Sequence, residues 1–118
     1  MPLPHTSCLS IERALEYLGD MPGVLSLLAT LQQSLQDELP QLQARLDAGD
    51  LPGAQRLLHQ IKGFAPVFCV DQLVAQVLEM EALSQGSDLQ AARAAYARLG
   101  PQLQQLQNEV RACLGASH

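Results

Sequence analysis

The residues best suited to chemistry lie in one short stretch, LLHQIKGFAP, from Leu57 to Pro66. His59 offers an imidazole, and in the neutral form of this ring one nitrogen has a lone pair that can attack an electrophile. Lys62, three residues later, lies on the same face of a helix and can pair with anionic oxygens delivered to that nitrogen. Gly63 leaves room for a partner to approach. The stretch predicts nucleophilic chemistry on an anionic group.

Helical geometry indicates which way His59 faces. At about 100° of rotation per residue, four apolar residues fall within about 40° of the side opposite His59. They are Leu57, Ile61, Phe64 and Phe68. The residues within about 60° of His59 are Pro52, Gln55, Arg56, Lys62, Gly63 and Pro66. We therefore expect His59 to face solvent rather than the core. Gln55, Arg56 and Pro66 share its face and are candidate partner-binding residues.

The machinery that would deliver a reactive group is missing from the sequence. There is no phosphate-binding Gly-x-x-x-x-Gly-Lys-Ser/Thr loop, no glycine-rich kinase loop and no Asp/Asn pair for magnesium. No serine or cysteine nucleophile is placed beside His59 to form a catalytic triad. We expect no autonomous kinase activity, and His59 is best interpreted as a nucleophile that receives its group from another protein.

The first half of the chain contains residues that mark where helices begin and end, both before and after this stretch. Ser7 or Ser10 can cap a short helix, IERALEYL, that ends at Gly19. Leucines at spacings of three and four predict an amphipathic helix over residues 24–46, with a kink or break expected at Pro40, near Glu38. A helix stop at Gly49 and a cap at Asp50 introduce the helix that carries His59. Pro66 predicts that this helix kinks or ends just past the reactive face.

Two further helices complete the predicted fold. After a turn at residues 69–71, the next helix is expected to have an apolar side formed by Leu73, Val74, Val77, Leu78 and Leu83. GSD at residues 86–88 caps the last helix, which Gly100-Pro101 should bend or split. We predict an all-α fold, an antiparallel four-helix bundle with an additional short N-terminal helix. The expected division is a flexible leader over residues 1–9, the bundle over 10–114 and a tail over 115–118.

Composition limits the classes of partner. The chain has 118 residues, a net charge of -5 and 3% aromatic residues. Acidic charge without a basic cluster argues against nucleic acid, and no apolar run approaches the roughly 20 residues of a membrane span. Cys8, Cys69 and Cys113 form no Cys-x-x-Cys pair, so we expect neither disulfides nor a metal site, and a cytoplasmic location.

Other candidate residues have simpler interpretations. Cys69 and Cys113 are interpreted as core residues, with a redox role as the alternative. Scattered acidic residues, including Glu79 and Glu81, are assigned to a solvated face. His5 and His118 lie near the ends of the chain and are interpreted as incidental.

The stretch LLHQIKGFA resembles the His-x-x-Lys-Gly signature of histidine-containing phosphotransfer (HPt) domains. The resemblance extends to ALEYLGD, to LQDELPQLQARLDAGDLPGAQRLLHQIKG and to SQGSDLQAARAAYARL, and covers about residues 10–114. It departs from the family's habit at Phe64, at Pro66 and at Cys69, where the family usually has small residues or glycine. Pro66 in particular is expected to alter the shape of the docking surface.

This resemblance implies a function for each signature residue. His59 would accept a phosphoryl group from the aspartyl phosphate of a response-regulator receiver domain and pass it to another receiver. Lys62 would hold the phosphoryl oxygens, and Gly63 would leave clearance for the receiver. The receiver would supply Mg²⁺, so the chain needs no cofactor of its own. A hybrid sensor histidine kinase is an expected partner, and the chain is expected to be a monomer.

Two alternatives belong to other functional classes. The bundle could be an adaptor that binds a kinase or a receiver through the same face without phosphotransfer. It could also be a structural helical bundle in a homodimer. The presence of His59, Lys62 and Gly63 together favours the phosphocarrier, because a domain that has lost phosphotransfer would be expected to lose its histidine first.

Overall fold

The computed structural model describes residues 7–116 and shows five α-helices there. They are α1 (Ile11–Leu18), α2 (Met21–Asp47), α3 (Leu51–Phe68), α4 (Asp71–Ser84) and α5 (Leu89–Ala116). Helices α2 to α5 form an antiparallel bundle in which each packs against two neighbours, and α1 packs across α2 and α3. This confirms the predicted four-helix bundle with an additional short helix.

Polar side chains fix where the helices begin. Ser10 accepts a hydrogen bond from the Arg13 N–H at the start of α1, and Asp20, Asp50 and Asp88 do the same at the starts of α2, α3 and α5. Each bond satisfies a backbone donor that has no partner within its helix. Gly49, with φ of 75°, adopts the left-handed conformation that turns the chain from α2 into α3. The starts of these four helices thus follow from local sequence signals, whereas α4 begins without a side-chain cap.

The interior prolines do not divide their helices. Helix α2 runs without interruption through Pro40, and α5 runs through Gly100 and Pro101, so neither helix is broken or split there. The alternatives, a kink at Pro40 and a bend at Gly100-Pro101, stay predictions. Pro40 and Pro101 lie at exposed positions, where neither disturbs the core. The glutamine after each proline donates its side-chain amide to a carbonyl one turn back, Gln41 to Asp37 at 3.0 Å and Gln102 to Arg98 at 3.4 Å. Proline has no backbone N–H to donate, and each glutamine amide supplies a hydrogen-bond donor to a backbone carbonyl in that turn.

Helix α3 also continues through its proline. Ala65 remains helical, and α3 ends at Phe68, two residues after Pro66. This position agrees with an end shortly past the His59 face. Cys69 then leaves the helix with an extended backbone and leads into α4.

The buried side of α4 differs from the predicted one. It consists of Leu73, Val77, Met80, Glu81 and Ser84. Leu78, which periodicity assigned to the apolar side, is 45% exposed, and Val74 and Leu83 are only half-buried. The sequence offers more apolar residues than the narrow contact face of α4 can hold, and the tight packing of α3 on one flank and α5 on the other selects among them.

The three cysteines are buried, which confirms the interpretation of Cys69 and Cys113 as core residues. Burial raises the pKa of the Cys69 thiol to about 12, and it also raises the pKa of Cys8 and of Cys113. A thiol of this kind is not a nucleophile at neutral pH. The redox alternative therefore finds no support in the structure.

A buried carboxylate on α5 holds the chain that precedes α1. Oε1 of Glu109 accepts hydrogen bonds from the backbone N–H groups of Ser7, Cys8 and Leu9, each at 3.0 Å. Oε2 accepts from the Ser7 hydroxyl and from Gln105. Leu9 also forms a β-bridge with Cys69, just after α3. Residues 7–9 are therefore packed on the bundle. This corrects the predicted flexible leader for residues 7–9, and residues 115–116 belong to α5 rather than to a tail. Residues 1–6, with His5, and residues 117–118, with His118, lie outside the described residues, so for them the leader and the tail stay predictions.

We expect Glu109→Gln to lower the free energy of unfolding by roughly 1 kcal/mol at pH 7, since a neutral oxygen accepts the backbone N–H groups more weakly. The backbone donors and Gln105 outweigh desolvation and hold the pKa of Glu109 below its usual range. A lowered folded pKa gives stability above the ordinary glutamate pKa of about 4.3, and this stability is lost as pH falls through the folded pKa.

Chemical denaturation between pH 3 and pH 7 checks this expectation. The difference between the wild type and Glu109→Gln should shrink toward pH 3, whereas Glu16→Gln, which changes an exposed glutamate on α1, should follow the wild type. A difference that stays constant with pH would contradict the role assigned to the Glu109 carboxylate.

Candidate functional site

His59 lies in the middle of α3 on the side of the bundle where α3 meets α4. Its side chain is 65% exposed, as the helical positions predicted. The buried side of α3 lies away from His59 and carries Leu58, Ile61, Ala65 and Phe68. Of the residues expected opposite His59, Leu57 and Phe64 are only half-buried. These apolar contacts hold the helix in place, so the backbone that carries His59 is rigid although the imidazole itself meets solvent.

A carboxylate from α4 lies beneath this histidine. Oε1 of Glu81 is 3.3 Å from Nδ1 of His59 and accepts the side-chain amide of Gln55, also at 3.3 Å. Its Oε2 pairs with Nζ of Lys62 at 2.8 Å. Only 6% of the Glu81 side chain is exposed. Three polar side chains of α3 therefore converge on one buried group of α4.

The electrostatics of this cluster keep Glu81 ionised. The hydrogen bond from Lys62 is the largest influence that lowers the pKa of Glu81, and bonds from His59 and Gln55 lower it further, against the desolvation that burial imposes. A buried carboxylate is expensive unless donors and an opposite charge compensate it. Here both compensations come from α3, so the cluster also ties α3 to α4.

The ionised Glu81 determines the form of the His59 ring. A carboxylate without a proton only accepts hydrogen bonds, so Nδ1 of His59 must carry the hydrogen in this contact. In the neutral ring, Nε2 then has the free lone pair. With Nδ1 turned toward the buried carboxylate, Nε2 is the nitrogen left for chemistry. The geometry thus produces an oriented nucleophile with a cation one turn away.

The remaining predicted site residues lie on the same helix. Arg56, Gly63 and Pro66 are exposed, and Gln55 is half-buried because its amide bonds to Glu81. A Cβ atom added to Gly63 would meet nothing within 4 Å, so the position opens onto free space. The structure brings Gln55, His59 and Lys62 together. The roles of Arg56, Gly63 and Pro66 toward a partner stay predictions.

Sequence reasoning missed Glu81. The assignment of acidic residues to a solvated face is right for Glu79, which is exposed, and wrong for Glu81, which is buried. The signal was its spacing, because Glu81 follows Val77 by four residues and precedes Ser84 by three, and all three face inward. A single acidic residue on a buried helix face indicates a buried partner, but the sequence does not say which helix supplies it.

Another concave region lies elsewhere on the bundle. A groove of about 860 Å³ separates α2 from α5, near Pro40 and Pro101. Arg93, at one end, donates to the carbonyl oxygens of Leu46 and Asp47 and thereby satisfies the last turn of α2. The groove thus contains a structural arginine and lies away from the α3–α4 cluster.

The described residues hold neither a metal-binding cluster nor a membrane-spanning helix. Within residues 7–116, no three His, Cys, Asp or Glu side chains come together in a way that could hold a metal ion. In the same part of the chain, no helix combines the length and apolar character needed to span a membrane.

Comparison with known proteins identifies a family whose sequence model matches this chain. The sequence model of the Hpt domain matches residues 26–112, which include all of α3 and α4 and most of α2 and α5. No curated protein and no solved structure matches the chain. Hpt domains are helical bundles that act in histidine phosphotransfer within phosphorelays, and they interact with receiver domains. The match covers well over half of the chain, and its helical bundle agrees with the fold: the chain belongs to the Hpt domain family.

Proposed function

We propose that this protein is a histidine phosphocarrier in a multi-step two-component pathway. His59 accepts a phosphoryl group from the aspartyl phosphate of one receiver domain and relays it to the aspartate of another. The observation that carries this proposal is the contact between His59 Nδ1 and the ionised Glu81, which leaves Nε2 exposed as the nucleophile. Lys62 stands beside it at the same carboxylate.

The transfer needs only groups that the chain and a receiver provide. The lone pair of His59 Nε2 attacks the phosphorus of the aspartyl phosphate. The bond from phosphorus to the aspartate oxygen breaks, and the aspartate leaves as a carboxylate with the electron pair. The hydrogen on Nδ1 stays in its bond to Glu81, which stabilises the positive charge that the ring gains during attack. Attack by the aspartate of the next receiver reverses these steps.

Lys62 balances the charge at this site. The Glu81 carboxylate would repel an incoming phosphoryl group, and the Lys62 ammonium at 2.8 Å offsets that charge. The Lys62 side chain is 34% exposed, so Nζ lies at the boundary between the buried carboxylate and solvent. From there it can also pair with phosphoryl oxygens bound to Nε2.

The receiver supplies the parts that this chain lacks. We propose that Mg²⁺ and its acidic ligands belong to the receiver, that Gln55, Arg56 and Pro66 contribute to docking, and that a hybrid sensor histidine kinase carries a receiver that feeds the site. The exposure of Arg56, Gly63 and Pro66 beside His59 supports this arrangement. We further propose a cytoplasmic monomer. The odd number of cysteines without a Cys-x-x-Cys pair is in keeping with a reducing compartment.

Transfer of labelled phosphate tests the proposal. Purified receiver domains are phosphorylated with labelled acetyl phosphate and mixed with the wild type, with His59→Gln and with Lys62→Ala. We expect acid-labile, alkali-stable label on the wild type, none on His59→Gln, and at least about ten-fold slower labelling of Lys62→Ala, a change of about 1.4 kcal/mol in activation free energy.

Two results of the transfer assay would contradict the proposal, each in a different way. Equal label on His59→Gln would remove His59 as the acceptor. Receiver binding without any label on the wild type would favour the adaptor that binds without phosphotransfer. Circular dichroism of each variant shows that a lost signal does not come from a lost fold.

Gly63→Ala separates partner clearance from stability. The added methyl group meets nothing in this chain, and alanine favours a helix over glycine, so we expect the free energy of unfolding to rise by up to about 1 kcal/mol. The same methyl group stands where a receiver must come close, so we expect slower transfer from the receiver. Urea unfolding and the transfer assay measure the two effects. Unchanged transfer in a stabilised variant would show that the partner does not approach Gly63.

A further inference from the structure

Leu78 on α4 is a large apolar side chain that lies outside the core. It is 45% exposed, and Tyr17 and Leu27 are the other large hydrophobic residues exposed among the described residues. A single exposed leucine is ordinary on a protein surface. Its position relative to His59 gives Leu78 its significance.

The contacts of Glu81 fix the register between α3 and α4. Glu81 meets Gln55, His59 and Lys62 of the antiparallel α3. Leu78 precedes Glu81 by three residues, about 4.5 Å along the axis of α4, which brings it to the level of Lys62. It is also rotated by about 60° from Glu81, away from the buried side of the helix. Leu78 thus lies on the solvent side of the Lys62–Glu81 pair.

The residues next to Leu78 on this side of α4 are small. Ala75 and Ala82 precede and follow it by about one turn, and both are exposed. We call Ala75, Leu78 and Ala82 the Leu78 ridge. Across from it, α3 presents His59, Gly63 and Pro66, which are exposed as well. The exposed residues of α3 and the Leu78 ridge of α4 therefore lie on either side of the α3–α4 junction near His59. Leu78 is the one large side chain of the ridge.

We propose that the Leu78 ridge is the α4 half of the receiver-docking surface and that the receiver places an apolar side chain against Leu78. This inference rests on the proposed function and adds a contact that selects among receivers. The ridge is continuous with the His59 cluster, so a domain that reaches Nε2 covers it. Covering Leu78 removes apolar surface from water and shields the Lys62–Glu81 pair, which strengthens its electrostatics.

The same contact discriminates between partners. A receiver with a charged side chain opposite Leu78 would bury that charge against an apolar side chain, and the nearby Lys62 ammonium is already paired with Glu81, so the burial is costly. Glu79, the charged residue next to Leu78 in sequence, is about 100° further round α4 and lies on its α5 side, near Arg98. The ridge thus favours receivers with an apolar contact residue.

The test uses Leu78→Asp, the conservative Leu78→Met, and Leu27→Asp as a matched control. Leu27 is 41% exposed and lies on α2, so its replacement introduces the same charge at a similar exposure outside the ridge. A panel of purified receiver domains is phosphorylated with acetyl phosphate. The receiver that labels the wild type fastest is then titrated against each variant, and transfer is measured. Binding of the same receiver is measured with His59→Gln added to each variant, so that no transfer occurs.

We expect Leu78→Asp to raise the receiver concentration for half-maximal transfer, and the dissociation constant, by at least about ten-fold, with little change in the maximal transfer rate. Leu78→Met and Leu27→Asp should stay within about two-fold of the wild type. A wild-type dissociation constant for Leu78→Asp, or an equal loss of receiver affinity in Leu27→Asp, would overturn the proposal that the Leu78 ridge docks the receiver. Labelling of His59 would still support the phosphocarrier function. Absence of label on the wild type with every receiver would overturn both.

Discussion

The ionised Glu81 is the group on which the arrangement of the site depends. Its side chain is almost fully buried, and His59, Lys62 and Gln55 of α3 supply the donors and the charge that make its burial tolerable. The same contacts orient the His59 ring, position the Lys62 ammonium and join α3 to α4. A single carboxylate thus links the stability of the helix pair to the chemistry of its exposed edge.

The bundle provides the rigidity that this arrangement requires. Leu58 and Ile61 anchor the back of α3 in the core, and Asp50 caps its first turn. At its other end, α3 leads into Cys69, which pairs with Leu9, and Glu109 holds the backbone around Leu9. Both ends of the reactive helix are therefore fixed by contacts outside the site. The exposed imidazole can meet a partner without reorganisation of its own backbone.

The sequence predicted those features that depend on local rules. Helical periodicity placed His59 opposite Phe68, and Ser10, Asp50 and Gly49 marked helix boundaries that the structure confirms. Features that depend on contacts between distant segments were missed. Glu81 looked like a surface residue because its partners lie 19 to 26 residues earlier in the chain. Leu78 looked like a core residue because periodicity does not tell how wide a contact face is.

The prolines show a second limit of structure prediction from local sequence rules. The local cost of proline in a helix, about 3 kcal/mol, suggested a kink or break at Pro40 and a bend or split at Gly100-Pro101. Both helices nevertheless continue, since packing along their full length outweighs a local defect at an exposed position. For Pro66 the local rule and the structure agree more closely, because α3 ends two residues later. A local preference decides the structure only where tertiary contacts do not oppose it.

The most direct test of the role assigned to Glu81 is the position of the proton on the His59 ring. Long-range ¹⁵N–¹H spectra of labelled protein at a pH where the ring is neutral, with His59→Gln to identify the signals, report which nitrogen carries it. The wild type should carry the hydrogen on Nδ1, and Glu81→Met should shift the population toward hydrogen on Nε2. Hydrogen on Nε2 in the wild type, or identical spectra of the ring in Glu81→Met, would contradict the account.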